Sequence, residues 1–362
     1  MSDVNQRSES GADKNENEIA SRETAGLSQR QIILRRFVRH KAAMVSLFVL
    51  IFIILFVLSA SGLRFGSRQD PYIVPGWWRY SITDIDPEGA IAASCNNGVT
   101  GCPTLDISPT FIDGDGMRIG DHPLGTDIIG TDYFALVMRG AQQSLTVMFI
   151  VGLLGVTIGT TIGAIAGYFG GIVDAVLMRV TDMFLVTPTI VVGAVIGFRF
   201  GTFGVIPLAF LLGFFAWMGL ARFVRTEFLT LREREFVDAA RVAGASDRRI
   251  IFKHILPNAI GIIIVAGTLL LSGAILAETA LSYLGFGVKS PDVSLGLLIS
   301  EYQDSFGISP WLFWWPGALI VSIALCVNFI GDGLRDAFDP RQRRHVSAKD
   351  RSNAQELSSE RD

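Results

Sequence analysis

Few side chains in this 362-residue sequence could do chemistry, and they are widely scattered. His122, Asp127 and Asp132 lie closest together. One imidazole and two carboxylates could ligate a divalent cation. Short Asp and Thr side chains also close turns on their own backbone. With Gly125, Thr126 and Gly130 between them, a turn network is the expected role, and no metal is assigned. Cys95 and Cys102 bracket a Gly- and Asn-rich loop. On an oxidising face they could form a disulfide; two free thiols are the equal alternative, because sequence supplies no Cα separation. Glu278 ends a long apolar run, where an ionised group against lipid is costly. It either borders a translocation path or is held by hydrogen bonds, and the second is the expectation. Arg179 and Asp182 are spaced to pair on one helix face. No GxxxxGK[ST] string and no nucleophile–base–orienter cluster occurs, so neither P-loop hydrolysis nor other catalysis is expected of the chain.

The elements that would position these groups are membrane spans. Half of the residues are hydrophobic and only 18% are charged. The mean hydropathy of +0.43 is too high for a soluble chain, and the apolar residues come in uncharged runs long enough to cross a bilayer. The net charge of −3 says little about partners and gives no sign of nucleic-acid binding, because charges of opposite sign are sorted to different places. Six runs are predicted as spans, at about 42–62, 144–168, 177–198, 203–221, 255–277 and 311–332. Arg35, Arg36, Arg39 and Lys41 flank the first and place its start in the cytoplasm. An all-α chain with both ends inside follows. Residues 1–29 read as a disordered tail and 30–62 as the basic flank with the first span. Residues 63–140 read as an external segment, 141–334 as a helical core and 335–362 as a second cytoplasmic tail carrying Arg341, Arg343 and Arg344. Trp77, Trp78 and Tyr80 sit either at the membrane interface or in a small external subdomain. Residues 285–311 are again external, and Trp311, Trp314 and Trp315 anchor the last span.

Two features concern how the spans pack. Gly155, Gly159, Gly163 and Gly167 recur every fourth residue, a stripe that admits another backbone closely, within this subunit or from a neighbour. Pro188 falls mid-span and removes a backbone donor, so a kink is expected there.

Residues 230–258, TLREREFVDAARVAGASDRRIIFKHILPN, form a charged island between two spans. From Arg222 to Lys253 eight basic residues face five acidic ones, a net +3 that places the loop in the cytoplasm. The string reads as two short helices joined by a turn. Thr230 and Glu233 have capping-box spacing. Phe236, Ala239, Ala240 and Ala243 share one face, with Glu235, Asp238 and Arg241 opposite. Gly244 suits a positive-φ cap. Ser246 and Asp247 open the second helix, and Pro257 is expected to mark its exit.

This island resembles the EAA motif of ABC importer permeases. Asp238-Ala239-Ala240 is followed after three residues by Gly244 and later by Leu256-Pro257. Asp238 replaces the family's usual Glu, and His254 stands where an apolar residue is usual. Residues 122–132 are similar to the HPLGTD-x-x-G-x-D signature of the dipeptide, oligopeptide and nickel branch. Gly140-Ala141-Gln142-Gln143-Ser144-Leu145 matches its GAR-x-S-L run except for the Arg, and AETALSYLGFG around Glu278 fits as well. The resemblance spans roughly residues 30–340.

It implies a type I importer permease fold in a bacterial inner membrane. It also implies a second homologous permease subunit, two cytoplasmic ATPase subunits that bind ATP and Mg, and an extracytoplasmic substrate-binding protein. Glu235, Phe236, Asp238, Ala239, Ala240, Gly244, Ala245, Leu256 and Pro257 would form the ATPase-coupling loop. Di- or oligopeptides are the implied cargo, with nickel the alternative within the family. A secondary transporter is the outside alternative, but it would need broken helices around midplane charges.

Overall fold

The computed structural model describes residues 29–62, 74–85, 101–106, 118–200 and 203–338. The tail at 1–28, Cys95 and with it the choice between a disulfide to Cys102 and two free thiols, and the basic residues after 338 lie outside the described residues.

α1 (Gln29–Arg39) is a short basic helix leading into α2 (Lys41–Ser61), the first span. His40 links them: its Nδ1 accepts the Ala43 N–H and caps α2. Ile53, Val57 and Ala60 of α2 are buried, while Val45, Phe48, Phe52 and Leu55 are exposed. That outer apolar surface suits lipid, because α2 is apolar all round. The segment between α2 and the next span carries a two-stranded ladder, β1 (Leu105–Asp106) antiparallel to β2 (Arg118–Ile119).

α3 (Tyr133–Phe169) is 37 residues long, roughly 55 Å at the helical rise, where a span needs only about 20 residues. It begins at 133 rather than 144, a correction with a clear cause. Asp132 caps the helix by accepting the Ala135 N–H at 2.8 Å, and the polar Arg139, Gln142 and Gln143 in the first turns are all buried. Their polarity reads as loop in sequence but serves packing inside the fold.

The next two spans are broken. α4 (Gly171–Val186) and α5 (Thr189–Phe200) meet at 75° around Pro188, a sharper break than a kink. The residue before a proline is pushed out of the helical region, and Thr187 accordingly sits at ψ 124°. α6 (Val205–Phe214) and α7 (Met218–Arg232) meet at 41°. The expected Arg179–Asp182 pair does not form; Asp182 pairs with Arg222 of α7 instead. Counting each bent pair once gives six spans.

α8 (Glu235–Val242) and α9 (Asp247–Arg249) form the hairpin, and a π-helical stretch (Ile250–Ile255) runs directly into α10 (Leu256–Tyr283). Pro257 therefore does not end a helix. It occupies the first turn of α10, where a missing N–H matters little. Thr230 is not a cap either: it lies inside α7 and its hydroxyl donates to the Thr226 carbonyl. Residues 285–311 contain α11 (Leu295–Tyr302), and α12 (Trp311–Phe338) is the sixth span, extending past 332.

The core has three main parts. One joins α2, the start of α3, Ile275 of α10, α11 and α12. A second joins the end of α3, α7, the hairpin and the start of α10. A third packs the middle of α3 on α5 and α6.

The glycine stripe faces within the chain, mostly onto α7. A Cβ at Gly159 would lie 2.8 Å from the Trp217 carbonyl, at Gly163 2.5 Å from that of Ala221 and at Gly167 2.6 Å from that of Arg225. Gly155 meets Leu270 of α10 and Ala216. The two backbones advance in step by four residues, so α3 and α7 run parallel. Spans two and four must do so in an alternating six-span chain.

Candidate coupling site

The hairpin is seated by two side chains. Val237 is fully buried and Ala240 nearly so, against Val224, Phe228, Ile250 and Ile255. Gly244 closes the turn at φ 76°, with its N–H on the Arg241 carbonyl, and Ala245 N–H returns to Ala240 O at 3.0 Å. Ser246 occupies the cap position of α9, without a side-chain bond.

Ala240, grouped by its spacing with Phe236, Ala239 and Ala243, is buried apart from them. Phe236, Ala239 and Ala243 point away from the core. A stripe on so short a helix does not say where its edge lies, and Ala240 falls on the inward side beside Val237. Val237, missed in the sequence reading, is the true anchor. Outside, Phe236 is 38% and Val242 90% exposed, with Ala239 and Ala243 exposed beside them. Arg234, Asp238, Arg241, Arg248 and Arg249 of the same hairpin are also exposed. Asp238 and Arg241 pair with each other at 3.1 Å. Apolar and charged groups exposed together are what a protein-binding surface presents. Glu235 is exposed at the start of α8, whereas Leu256 and Pro257 lie across the hairpin at the head of α10.

The hairpin's supports come from distant parts of the chain. Arg225 of α7 forms a two-pronged pair with Asp174 of α4, its Nη2 at 2.6 Å. Arg232 donates to the Tyr168 carbonyl at 3.1 Å, and the Tyr168 hydroxyl donates to Asp247 at 2.6 Å. None of these partners was assigned from sequence. Only the charges at span ends hinted at them.

The HPLGTD-like stretch lies at the other end of α3. Asp127 Oδ1 accepts the N–H groups of Ile129 (3.0 Å) and Thr131 (2.7 Å), and Tyr302 donates to Oδ2. Asp132 takes the Ala135 N–H, Trp78 Nε1–H at 2.7 Å and His122 Nδ1 at 2.9 Å. Burial pushes the Asp132 carboxyl above the usual carboxylate range, and these bonds pull against that shift. Thr126 pairs with Asp132 as a β-bridge, and Gly125 and Gly130 take positive φ in the turns. The side chains are arranged as a turn-and-cap network. Trp78 packs on Phe134 at 4.5 Å, which draws the aromatic cluster into this subdomain.

Glu278 is 1% exposed, deep between elements, and accepts hydroxyls from Ser144 (3.0 Å) and Ser282 (2.7 Å). Ser144 also receives the Leu295 N–H, and Gln143 bonds Asp292 and the Val293 N–H. The network ties the 288–295 stretch to α3 and α10.

Comparison with known proteins fits this architecture. Residues 159–344 match the family described as the binding-protein-dependent transport system inner membrane component, and 28–87 match the N-terminal TM domain of oligopeptide transport permease C. The oligopeptide transport system permease protein OppC of Mycobacterium tuberculosis is 38% identical over 317 residues, covering 87% of this chain and 96% of that protein. Its Haemophilus influenzae namesake is 35% identical over 340 residues, with 94% and 97% covered. That of Escherichia coli K12 is 34% identical over 321 residues, with 89% and 94% covered. The chain thus belongs to the family of binding-protein-dependent transport system inner membrane components, the ABC importer permeases.

Proposed function

We propose that this chain is one half of the membrane pore of an ATP-driven importer for di- or oligopeptides, and that α8 with the following turn is where a cytoplasmic ATPase subunit docks. The carrying observation is the exposure of Phe236, Ala239, Val242 and Ala243 on a hairpin whose Arg234, Asp238, Arg241, Arg248 and Arg249 are exposed as well. Apolar exposure is unremarkable on a span, but on the most charged loop of the chain it calls for a protein partner. The proposed complex holds a second related permease, two ATPases that bind ATP and Mg, and an extracytoplasmic binding protein. The chain itself carries out no catalysis. Both termini lie in the cytoplasm of a bacterial inner membrane, in keeping with the basic flank before α2 and the +3 balance of the coupling loop. Peptide cargo is supported by the names of the relatives.

Tagged protein purified from mild detergent tests this. Wild type should bring down P-loop ATPases and a second six-span chain. Phe236→Asp should lose the ATPases and keep the permease partner. Ala240→Glu is a poorer probe, because Ala240 is buried and a carboxylate there would unseat the hairpin itself. Uptake of labelled peptides, competed by unlabelled peptides but not by nickel, tests the cargo. Retention of the ATPases by Phe236→Asp would defeat the docking assignment.

A further inference from the structure

We propose that Tyr168 is the positioning residue that carries motion of the docked hairpin into the second span. The proposal rests on the docking reading above. Tyr168 is 6% exposed, on the last turn of α3. Its ring belongs to the apolar cluster that seats the hairpin through Val237, Ala240 and Ile250. Its backbone carbonyl and its side-chain hydroxyl bind opposite sides of the loop. The carbonyl accepts from Arg232, at the end of the helix entering the hairpin, and the hydroxyl donates to Asp247, at the start of the helix leaving it. The side chain thereby joins the seat to the outgoing arm, and the same residue's backbone holds the incoming arm.

What lies on either side of Tyr168 makes this a lever. Before it, Gly159, Gly163 and Gly167 hold α3 in backbone contact with α7, so those helices move together. After it, Gly170 (φ 65°) and Gly171 (φ 52°) turn the chain into α4, and nothing crowds Gly171. A pull on Asp247 therefore reaches the end of α3 directly, at a point where the following backbone can turn. The Asp174–Arg225 pair holds the start of α4 to the same moving group. A bond from a neutral hydroxyl to a carboxylate is the strong kind, suited to bearing load.

The test uses the whole importer, with its partner subunits, in proteoliposomes, and reads peptide moved per ATP hydrolysed. Tyr168→Phe keeps the ring and deletes the hydroxyl. The ATPases should co-purify as in wild type and basal hydrolysis should persist, while transport per ATP falls about tenfold, on the scale of one lost bond to a charged group. Asp247→Ala should match it. Asp247→Asn, which keeps a carbonyl acceptor, should restore most coupling. The double variant Tyr168→Phe/Asp247→Ala should be no worse than either single, as expected for two ends of one contact. Wild-type transport per ATP in Tyr168→Phe would overturn the proposal. So would losses that multiply in the double variant, or a lowered melting temperature with coupling intact. Failure of wild type to hold the ATPases would instead remove the docking reading beneath it.

Discussion

Asp132 shows how much one short side chain can settle. Its carboxylate caps a 37-residue helix, takes the Trp78 indole N–H and faces His122, all at 1% exposure. Asp132→Ala should lower stability by roughly 2–4 kcal/mol, combining a lost cap with polar groups left unpaired in the interior. Thermal unfolding in detergent reads this directly, and Asp132→Asn should fall between the two. The pH dependence has a definite sign. Burial raises this carboxyl, so the folded protein holds its proton more tightly than the unfolded chain does. That contribution is present below the ordinary carboxylate pKa and is lost as pH rises through the raised value. Across that window the melting temperature of Asp132→Asn should vary less than that of wild type. A steeper variation would contradict the assignment.

At the level of elements, the glycine stripe makes the sharpest prediction. Gly163→Val places a branched side chain where the Ala221 carbonyl already lies 2.5 Å from a single Cβ. Overpacking of this kind typically costs about 1–3 kcal/mol, and backbone cannot yield as a side-chain tip can. Gly219→Ala is the control: it sits on the partner helix with nothing within 4 Å of the added atom. It should be neutral or slightly stabilising, because Gly219 takes helical backbone in the first turn of α7 and Ala loses less backbone entropy than Gly there. Equal melting temperatures for the two variants would mean that α3 and α7 are not packed as described.

For the whole molecule, the prediction concerns orientation. Ile128, 81% exposed in the segment before α3, and Val242, 90% exposed on the hairpin, should lie on opposite sides of the membrane. With native cysteines replaced, an impermeant maleimide on intact right-side-out vesicles should label Ile128→Cys at once and Val242→Cys only after permeabilisation. The reverse pattern would invert the proposed topology and place the hairpin out of reach of any cytoplasmic ATPase.

Much of this architecture is legible in the order of residues because membrane burial is a local property. Runs of about twenty uncharged residues suit a bilayer, Pro188 cannot continue a regular helix undisturbed and Gly244 accepts positive φ, whatever lies elsewhere in the chain. The EAA-like spacing around Asp238, Ala239, Ala240 and Gly244 is equally local. Contacts between distant residues are not. Nothing near Asp182 shows that it reaches Arg222 and not Arg179, nor that Asp174 holds Arg225. Nothing near Val237 shows that it turns inward and takes Ala240 with it. The start of α3 at Tyr133 and the burial of Glu278 among Ser144 and Ser282 follow the same rule. A polar side chain is stable in the interior once its hydrogen bonds are met, and those partners are brought to it only when the helices pack.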